Sequence, residues 1–422
     1  MRKKVVTGVL GGVLALAVTA LLWLHGAARR HETAAQIEAG DRLFRSSSYG
    51  DAAMAYERAA KVSRNNPEAW TRLAKGLFFS GQLGRAEEAA RRAEELDPGQ
   101  PDLHLMRASL ARLQRRPDDA LEWAERALAE DPKSASAQSF WVRCCTDAGQ
   151  LARARARYSV AVKADPRDAF ARRGLGLVLY EEGGVVPALA EYRNAQRLDP
   201  TLYQLHSDVA EALTTLGRLG EAEQELRLAL AGRSDPVVRL MYGRVLNRQR
   251  RYREAEAELR RGLKGWPLDP SGHADLGWAL WNLGRVHEAI HEYRNAVRWG
   301  KPEARYYQDL GQLLYSIGET DEALSALRRA TELGPRSARV REVLGACLAD
   351  KRQLADAERE LRLALAMDPG YAAAHLTLAS VLYQMGRYPE AWHQVHEAER
   401  LGLAKRDGLV RLLTEKMPEP AR

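Results

Sequence analysis

HEAIHEYRNA, residues 287–296, contains a His-Glu-x-x-His quintet. On a helix, His287 and His291 stand one turn apart, the arrangement that grips zinc with the glutamate between them as general base. The same ten letters have sisters elsewhere: VPALAEYRNA at 186–195, DEALSALRRA at 321–330 and PEAWHQVHEA at 389–398. The third letter is alanine in all of these and in seven further segments. The column runs Ala52, Ala86, Ala120, Ala154, Ala188, Ala222, Ala255, Ala289, Ala323, Ala357 and Ala391. Neighbouring members lie 34 residues apart, with a single step of 33 from Ala222 to Ala255. A fixed period of this size means stacked supersecondary units, a solenoid.

Each period reads as two helices. In PEAWTRLAKGLFFSGQLGRAEEAARRAEELDP, residues 67–98, Trp70, Leu73, Ala74 and Leu77 fall on one helical face. Gly81 ends that helix where a left-handed residue is usual. Leu83, Ala86, Ala90 and Ala93 form the stripe of a second helix, which Pro98 stops. Antiparallel helices on a short connection approach to about 8–10 Å where small side chains face each other. The first helices supply such a column: Gly40, Ala74, Ala108, Gly176, Ala210, Gly243, Gly277, Gly311, Gly345 and Ala379. Val142 is the one larger occupant, so the fourth repeat is expected to pack differently.

The composition agrees with a helical protein. Of 422 residues, 45% are hydrophobic and 28% charged, which argues against disorder. Lys plus Arg (64) exceeds Asp plus Glu (56), a net charge of +8 that solubility alone explains. Three cysteines, Cys144, Cys145 and Cys347, make no C-x-x-C pair and no disulfide framework. Cys144 and Cys145 fall late in a first helix, where buried thiols act as small hydrophobes.

Residues 5–24, VVTGVLGGVLALAVTALLWL, form an uncharged run after the basic tail at 1–4. As a helix it rises about 30 Å, the hydrocarbon thickness of a bilayer. We read it as a transmembrane helix or signal anchor, with cleavage near Gly26-Ala27-Ala28 as the rival reading. Arg2, Lys3 and Lys4 outnumber Arg29 and Arg30, which places the N-terminus in the cytoplasm and the rest outside. The expected organisation is a span at 5–24, a short linker at 25–32, a repeat array at 33–405 and a capping helix with tail at 406–422.

The period of 34, the helix–turn–helix units and the fixed large–small alternation resemble the tetratricopeptide repeat family. Eleven units would cover residues 33–405. The resemblance implies an all-α, right-handed α-solenoid, here preceded by one transmembrane helix. It also implies a concave groove, lined by the first helices, that holds an extended peptide or a partner helix. Within those helices the candidate groove residues are Arg143, Arg173, Tyr180, Arg244, Trp278, Trp281, Gln308, Gln312 and Tyr315. Trp278 and Trp281 stand i, i+3 on one face, and tryptophans exposed in a groove call for a covering partner. The chaperone-adaptor branch of the family reads carboxylates with inward asparagines, and the matching positions, which include Arg143, Arg244, Trp278 and Gln312, hold none.

The histidine pair has the commoner explanation. Ala289 at its centre belongs to the packing column. His287 replaces residues that include Gly, Asp, Pro, Arg and Ala in the sisters. A catalytic zinc needs three protein ligands and a dry cleft, and no third ligand stands at a recognisable spacing. His393 and His396 read as surface polar residues. The expectation is a membrane-anchored, non-catalytic scaffold of a bacterial envelope, without metal or cofactor. Its groove would hold a protein partner in envelope assembly, secretion or polymer export, at the inner membrane with the repeats outside the cytoplasm. A basic groove for a glycan or nucleic acid is the alternative, nucleic acid being the weaker case; a zinc peptidase is a remote third.

Overall fold

A computed structural model describes residues 2–99, 101–231, 235–301, 303–334, 337–403 and 407–419, with side chains from residue 23 onward except 101, 102 and 407. Among these residues all regular structure is helical. The chain divides into two compact units: residues 1–249 with 260–268, and residues 250–259 with 269–422.

The first unit contains α1 (Arg2–Arg45), α2 (Tyr49–Val62), α3 (Pro67–Phe79), α4 (Leu83–Leu96), α5 (Pro101–Leu113), α6 (Pro117–Glu130) and α7 (Ala135–Asp147). It continues through α8 (Leu151–Ala164), α9 (Ala169–Glu181), α10 (Val185–Leu198), α11 (Gln204–Thr215), α12 (Leu219–Leu230) and α13 (Pro236–Arg248). Helix α14 (Tyr252–Gly265) is shared between the units. The second unit holds α15 (Pro270–Asn282), α16 (Val286–Trp299), α17 (Ala304–Ser316), α18 (Thr320–Leu333), α19 (Ala338–Asp350) and α20 (Leu354–Met367). It ends with α21 (Ala372–Gln384), α22 (Tyr388–Arg400) and α23 (Asp407–Lys416).

The hairpins owe their shape to two columns. The alanines of the second helices are buried throughout, from Ala52 to Ala391. Opposite them, a Cβ on Gly176 would come within 2.6 Å of the Tyr192 ring, and one on Gly277 within 2.9 Å of the Tyr293 ring. The tighter of these seams accept no side chain because a large ring already fills the space. The other column is the left-handed residue joining the two helices. Gly81, Gly149, Gly183, Gly217, Gly284, Gly318 and Gly386 take positive φ there, and Ser47, Arg115, Arg250 and Arg352 adopt it at φ of 60–65° without being glycine.

The fourth repeat departs further than one larger side chain suggests. Helices α7 and α8 barely pack on each other, and α7 lies along α9 instead. Val142 and Tyr158 are both buried. Tyr158, displaced from the seam that Val142 fills, presses on Gly174 of α9, where a Cβ would collide with its ring.

Residues 25–32, expected as a linker, continue the helix α1 without a break. The reason is compositional: Ala27, Ala28, Arg29, Arg30 and Glu32 are good helix formers, and no proline interrupts them. Among the described residues no helix is long and apolar enough to cross a membrane. The expected span at 5–24 lies outside the described side chains except for Trp23 and Leu24, both exposed. At the other end, α23 packs against α22, burying Leu409 and Leu413, while the Trp392 indole donates to the Met417 carbonyl at 3.2 Å.

One contact in the first unit joins distant repeats. The Tyr49 hydroxyl donates to the Lys264 carbonyl at 2.6 Å across 215 residues. Around it Tyr49 stacks on Phe79 at 5.2 Å, Phe44 meets both edge-on, and Trp266 sits edge-on to Phe79 at 5.3 Å. Phe44, Phe78 and Phe79 are three of the five phenylalanines in the chain, concentrated where the seventh repeat returns to the first two.

Candidate functional site

The expected groove residues fall into two sets, one in each unit. In the first unit, Arg143 of α7 is exposed and Arg244 of α13 half-buried. Their charges act on Glu211 of α11, whose carboxyl burial pushes above its usual range while both guanidiniums pull it down. Tyr180 is half-buried, and its hydroxyl pairs with Thr215 of the next repeat at 2.8 Å.

Arg173 must be removed from the candidate surface. It is 2% exposed. Its Nε donates to Asp208 at 2.5 Å, Nη1 to the Ala135 carbonyl at 3.0 Å and Gln138 at 2.8 Å, and Nη2 to Ser139 at 2.7 Å. The opened fourth hairpin creates the need. Carbonyl and amide groups of α7 that face α9 lie away from water, and Arg173 satisfies them while Asp208 neutralises it.

In the second unit, Trp278 is 41% exposed and Trp281 half-buried, with ring centroids 5.5 Å apart at 84°. Gln312 and Tyr315 stand one period later. Gln312 accepts from Arg339 at Nε (2.5 Å) and Nη2 (2.9 Å), with its amide oxygen turned toward the guanidinium. The Tyr315 hydroxyl donates to Asp350 of the following repeat. Gln308 is half-buried. Beside it Asp309 receives the Tyr293 hydroxyl; burial pushes Asp309 up to about 6, against the pull of Tyr293, Arg305 and Arg339.

Several of these pairs share a spacing that sequence reading missed. Arg112–Asp147, Arg173–Asp208, Tyr180–Thr215, Ser271–Tyr306 and Glu342–Thr377 all link residues 35 apart. Successive first helices lie side by side one period apart, so a residue meets the position just beyond its own equivalent. An Arg or Tyr followed 35 residues later by Asp or Thr was a readable signal.

The His-Glu-x-x-His quintet lies on α16 with His287 and His291 exposed. Glu288 is held by Arg285 at 2.6 Å, and His291 faces Asn295 at 3.3 Å. Among the described residues no group of three metal-ligating side chains converges. Cys144, Cys145 and Cys347 are buried, which pushes their thiols up to about 12, 11 and 12, far from thiolate formation at neutral pH.

The class of protein is therefore an array of helical hairpins with an alanine seam. The chain belongs to the tetratricopeptide repeat family: a profile of that family matches residues 37–101, 71–135, 240–305, 309–372 and 348–399, and a second matches 111–175. In the stretch between these matches, helices α9 to α12 form hairpins of the same kind. No curated protein sequence matches. Among solved structures, the APC/C hetero-tetramer Cut9–Hcn1 is similar at a TM-score of 0.60 and 18% identity, over 83% of this chain and 76% of that one. PilF of Pseudomonas aeruginosa aligns at 0.46 and 22%, over 50% and 97%. YrrB, described as having an unusual peptide-binding site, aligns at 0.34 and 21%, over 43% and 95%. Proteins of the family generally mediate protein–protein interaction, and no catalytic family matches.

Proposed function

We propose that this chain is a non-catalytic scaffold, anchored in a bacterial inner membrane by residues 5–24. The inner face of its second unit, around Trp278, holds an extended peptide or helix of a protein partner. The observation that carries the reading is Trp278 itself. Tyr180 and Tyr315 spend their hydroxyls on the next repeat, whereas Trp278 leaves 41% of its surface in water while braced edge-to-face on Trp281. A rigid, partly exposed tryptophan is a typical binding anchor. The partner belongs to envelope assembly, secretion or polymer export, with the repeats outside the cytoplasm. Membrane attachment is supported by the uncharged run at 5–24 and by its helical backbone, continuous with the first repeat through α1.

The polyanion alternative loses its footing in the first unit. Arg173 is neutralised by Asp208, and Arg143 and Arg244 share Glu211. Affinity purification with the wild type and with Trp278→Ala/Trp281→Ala tests the groove: loss of specific partners supports it, and an identical partner set removes it. A reporter fused after Leu403 reads the side of the membrane.

A further inference from the structure

Arg29 and Arg30 of α1 share a cleft with Lys61, Arg64, Asn65 and Asn66, from the end of α2 and the turn into α3. Among the described residues no carboxylate lines it. All four basic side chains are exposed. Lys61 pairs with Glu57 at 3.0 Å on its own helix, and no ion pair involves Arg29, Arg30 or Arg64 among the described residues.

The corner is fixed by its surroundings. Thr33, 2% exposed, pairs its hydroxyl with Ser63 at 2.6 Å, tying the turn to α1. The Trp70 indole donates to the Arg64 carbonyl at 2.8 Å, and Asn66 caps α3 by accepting from the Ala69 amide at 3.1 Å. A turn from the next hairpin thus adds two cations to the two that follow the apolar run. Charges of one sign repel when gathered without counter-ions, so a cluster whose backbone is held in place by hydrogen bonds calls for an anionic ligand.

Its position says which anion. Trp23 and Leu24, the last residues of the apolar run, are 67% and 58% exposed. Tryptophan at the end of a span marks the interface. Because α1 is unbroken, Arg29 and Arg30 stand about 7–9 Å beyond Leu24. That is the outer edge of the headgroup layer, which adds roughly 5–8 Å on each side of the hydrocarbon.

We propose that this corner binds the phosphates of anionic phospholipid headgroups in the membrane that residues 5–24 enter. The proposal rests on the anchor reading above. A bilayer presents a row of phosphates to four exposed cations at once, whereas a single free phosphate in so open a cleft meets few of them.

The test uses the full chain with vesicles of phosphatidylcholine alone or with one-third phosphatidylglycerol. Flotation on neutral vesicles reads the anchor. Mass spectrometry of lipid retained after detergent extraction from the mixed vesicles reads the corner. The wild type is expected to float on both and to retain phosphatidylglycerol in excess of its bulk share, the excess falling with salt. Lys61→Glu/Arg64→Glu should float equally and lose roughly tenfold of the selectivity, while Lys163→Glu/Arg167→Glu keeps it. Helicity by circular dichroism checks that the reversal variant is folded. Failure of the wild type to float on neutral vesicles overturns the anchor reading and this proposal together. Flotation with selectivity unchanged by the reversal overturns this proposal alone. Displacement of the lipid by 10 millimolar inorganic phosphate, but not by chloride of equal ionic strength, assigns the corner to a free anion and overturns the lipid assignment.

Discussion

Arg173 Nε lies 2.5 Å from Asp208 Oδ2, and this ion pair, 35 residues apart in sequence, joins α9 to α11 while the same guanidinium reaches back to α7. Three first helices therefore hang on one buried side chain at the place where the fourth hairpin is open. Removing one partner of a buried pair leaves an uncompensated charge, a loss of about 3–5 kcal/mol. Arg173→Ala should destabilise the first unit by that amount, seen as faster hydrogen exchange in α7, α9 and α11. Arg173→Met/Asp208→Leu should recover much of it. Equal losses in the single and double variants would refute the pairing as the cause.

The left-handed connector is occupied by glycine in seven repeats and by Arg115 in the third, at φ 60°. A residue with a Cβ pays about 1–2 kcal/mol there. Arg115 is exposed, so Arg115→Gly should raise stability by about 1 kcal/mol. Gly217→Ala, at φ 75° with open space around it, should lower it by a similar amount. Chemical denaturation of both variants checks the pair of opposite signs.

Seam glycines act through space rather than through φ. Gly277→Ala would place a Cβ 2.9 Å from the Tyr293 ring and is expected to lose about 1–3 kcal/mol. Gly220→Ala, also helical but with nothing within 4 Å, should gain about 0.5–1 kcal/mol. A matching gain at both sites would show that helix propensity, not packing, governs.

Asp309 binds its proton more tightly in the folded chain than in the unfolded one, at about 6 against an ordinary 3.8. Its contribution to stability is therefore fully present below about pH 4 and is lost as pH rises through 6. Between pH 7 and 5 this group should add about 1 kcal/mol. Asp309→Asn, still able to accept from Tyr293, should lack that increment in melts compared across pH. An unchanged pH slope would place the titration elsewhere.

The aromatic contact between distant repeats can be broken without touching either groove set. Tyr49→Phe removes the 2.6 Å bond to Lys264 and should lose about 1 kcal/mol. Trp266→Ala should free the ends. A short bifunctional maleimide joining Gly50→Cys to Lys264→Cys should react in the otherwise native chain and lose efficiency with Trp266→Ala. The native thiols are buried and stay silent.

Much of the fold was legible because each hairpin is local and is written many times over. Ala289 is explained by ten equivalents, and that is enough to absorb His287 and His291 into a repeat rather than a metal site. The site was less legible. Arg143, Arg173 and Arg244 look alike in sequence, yet Arg173 is buried in an ion pair while Arg143, exposed, and Arg244, half-buried, both act on Glu211. Periodicity says which helix a residue is on, and the neighbouring helix decides what remains of its charge.

The sequence by itself determined the period, the paired helices and the small-residue seams, since these follow from spacing within about forty residues. Only the tertiary structure decided that the fourth hairpin opens, that Arg173 closes the gap, and that Tyr49 meets Lys264. Those outcomes depend on how small differences in packing accumulate over successive repeats. No local pattern records a sum of that kind.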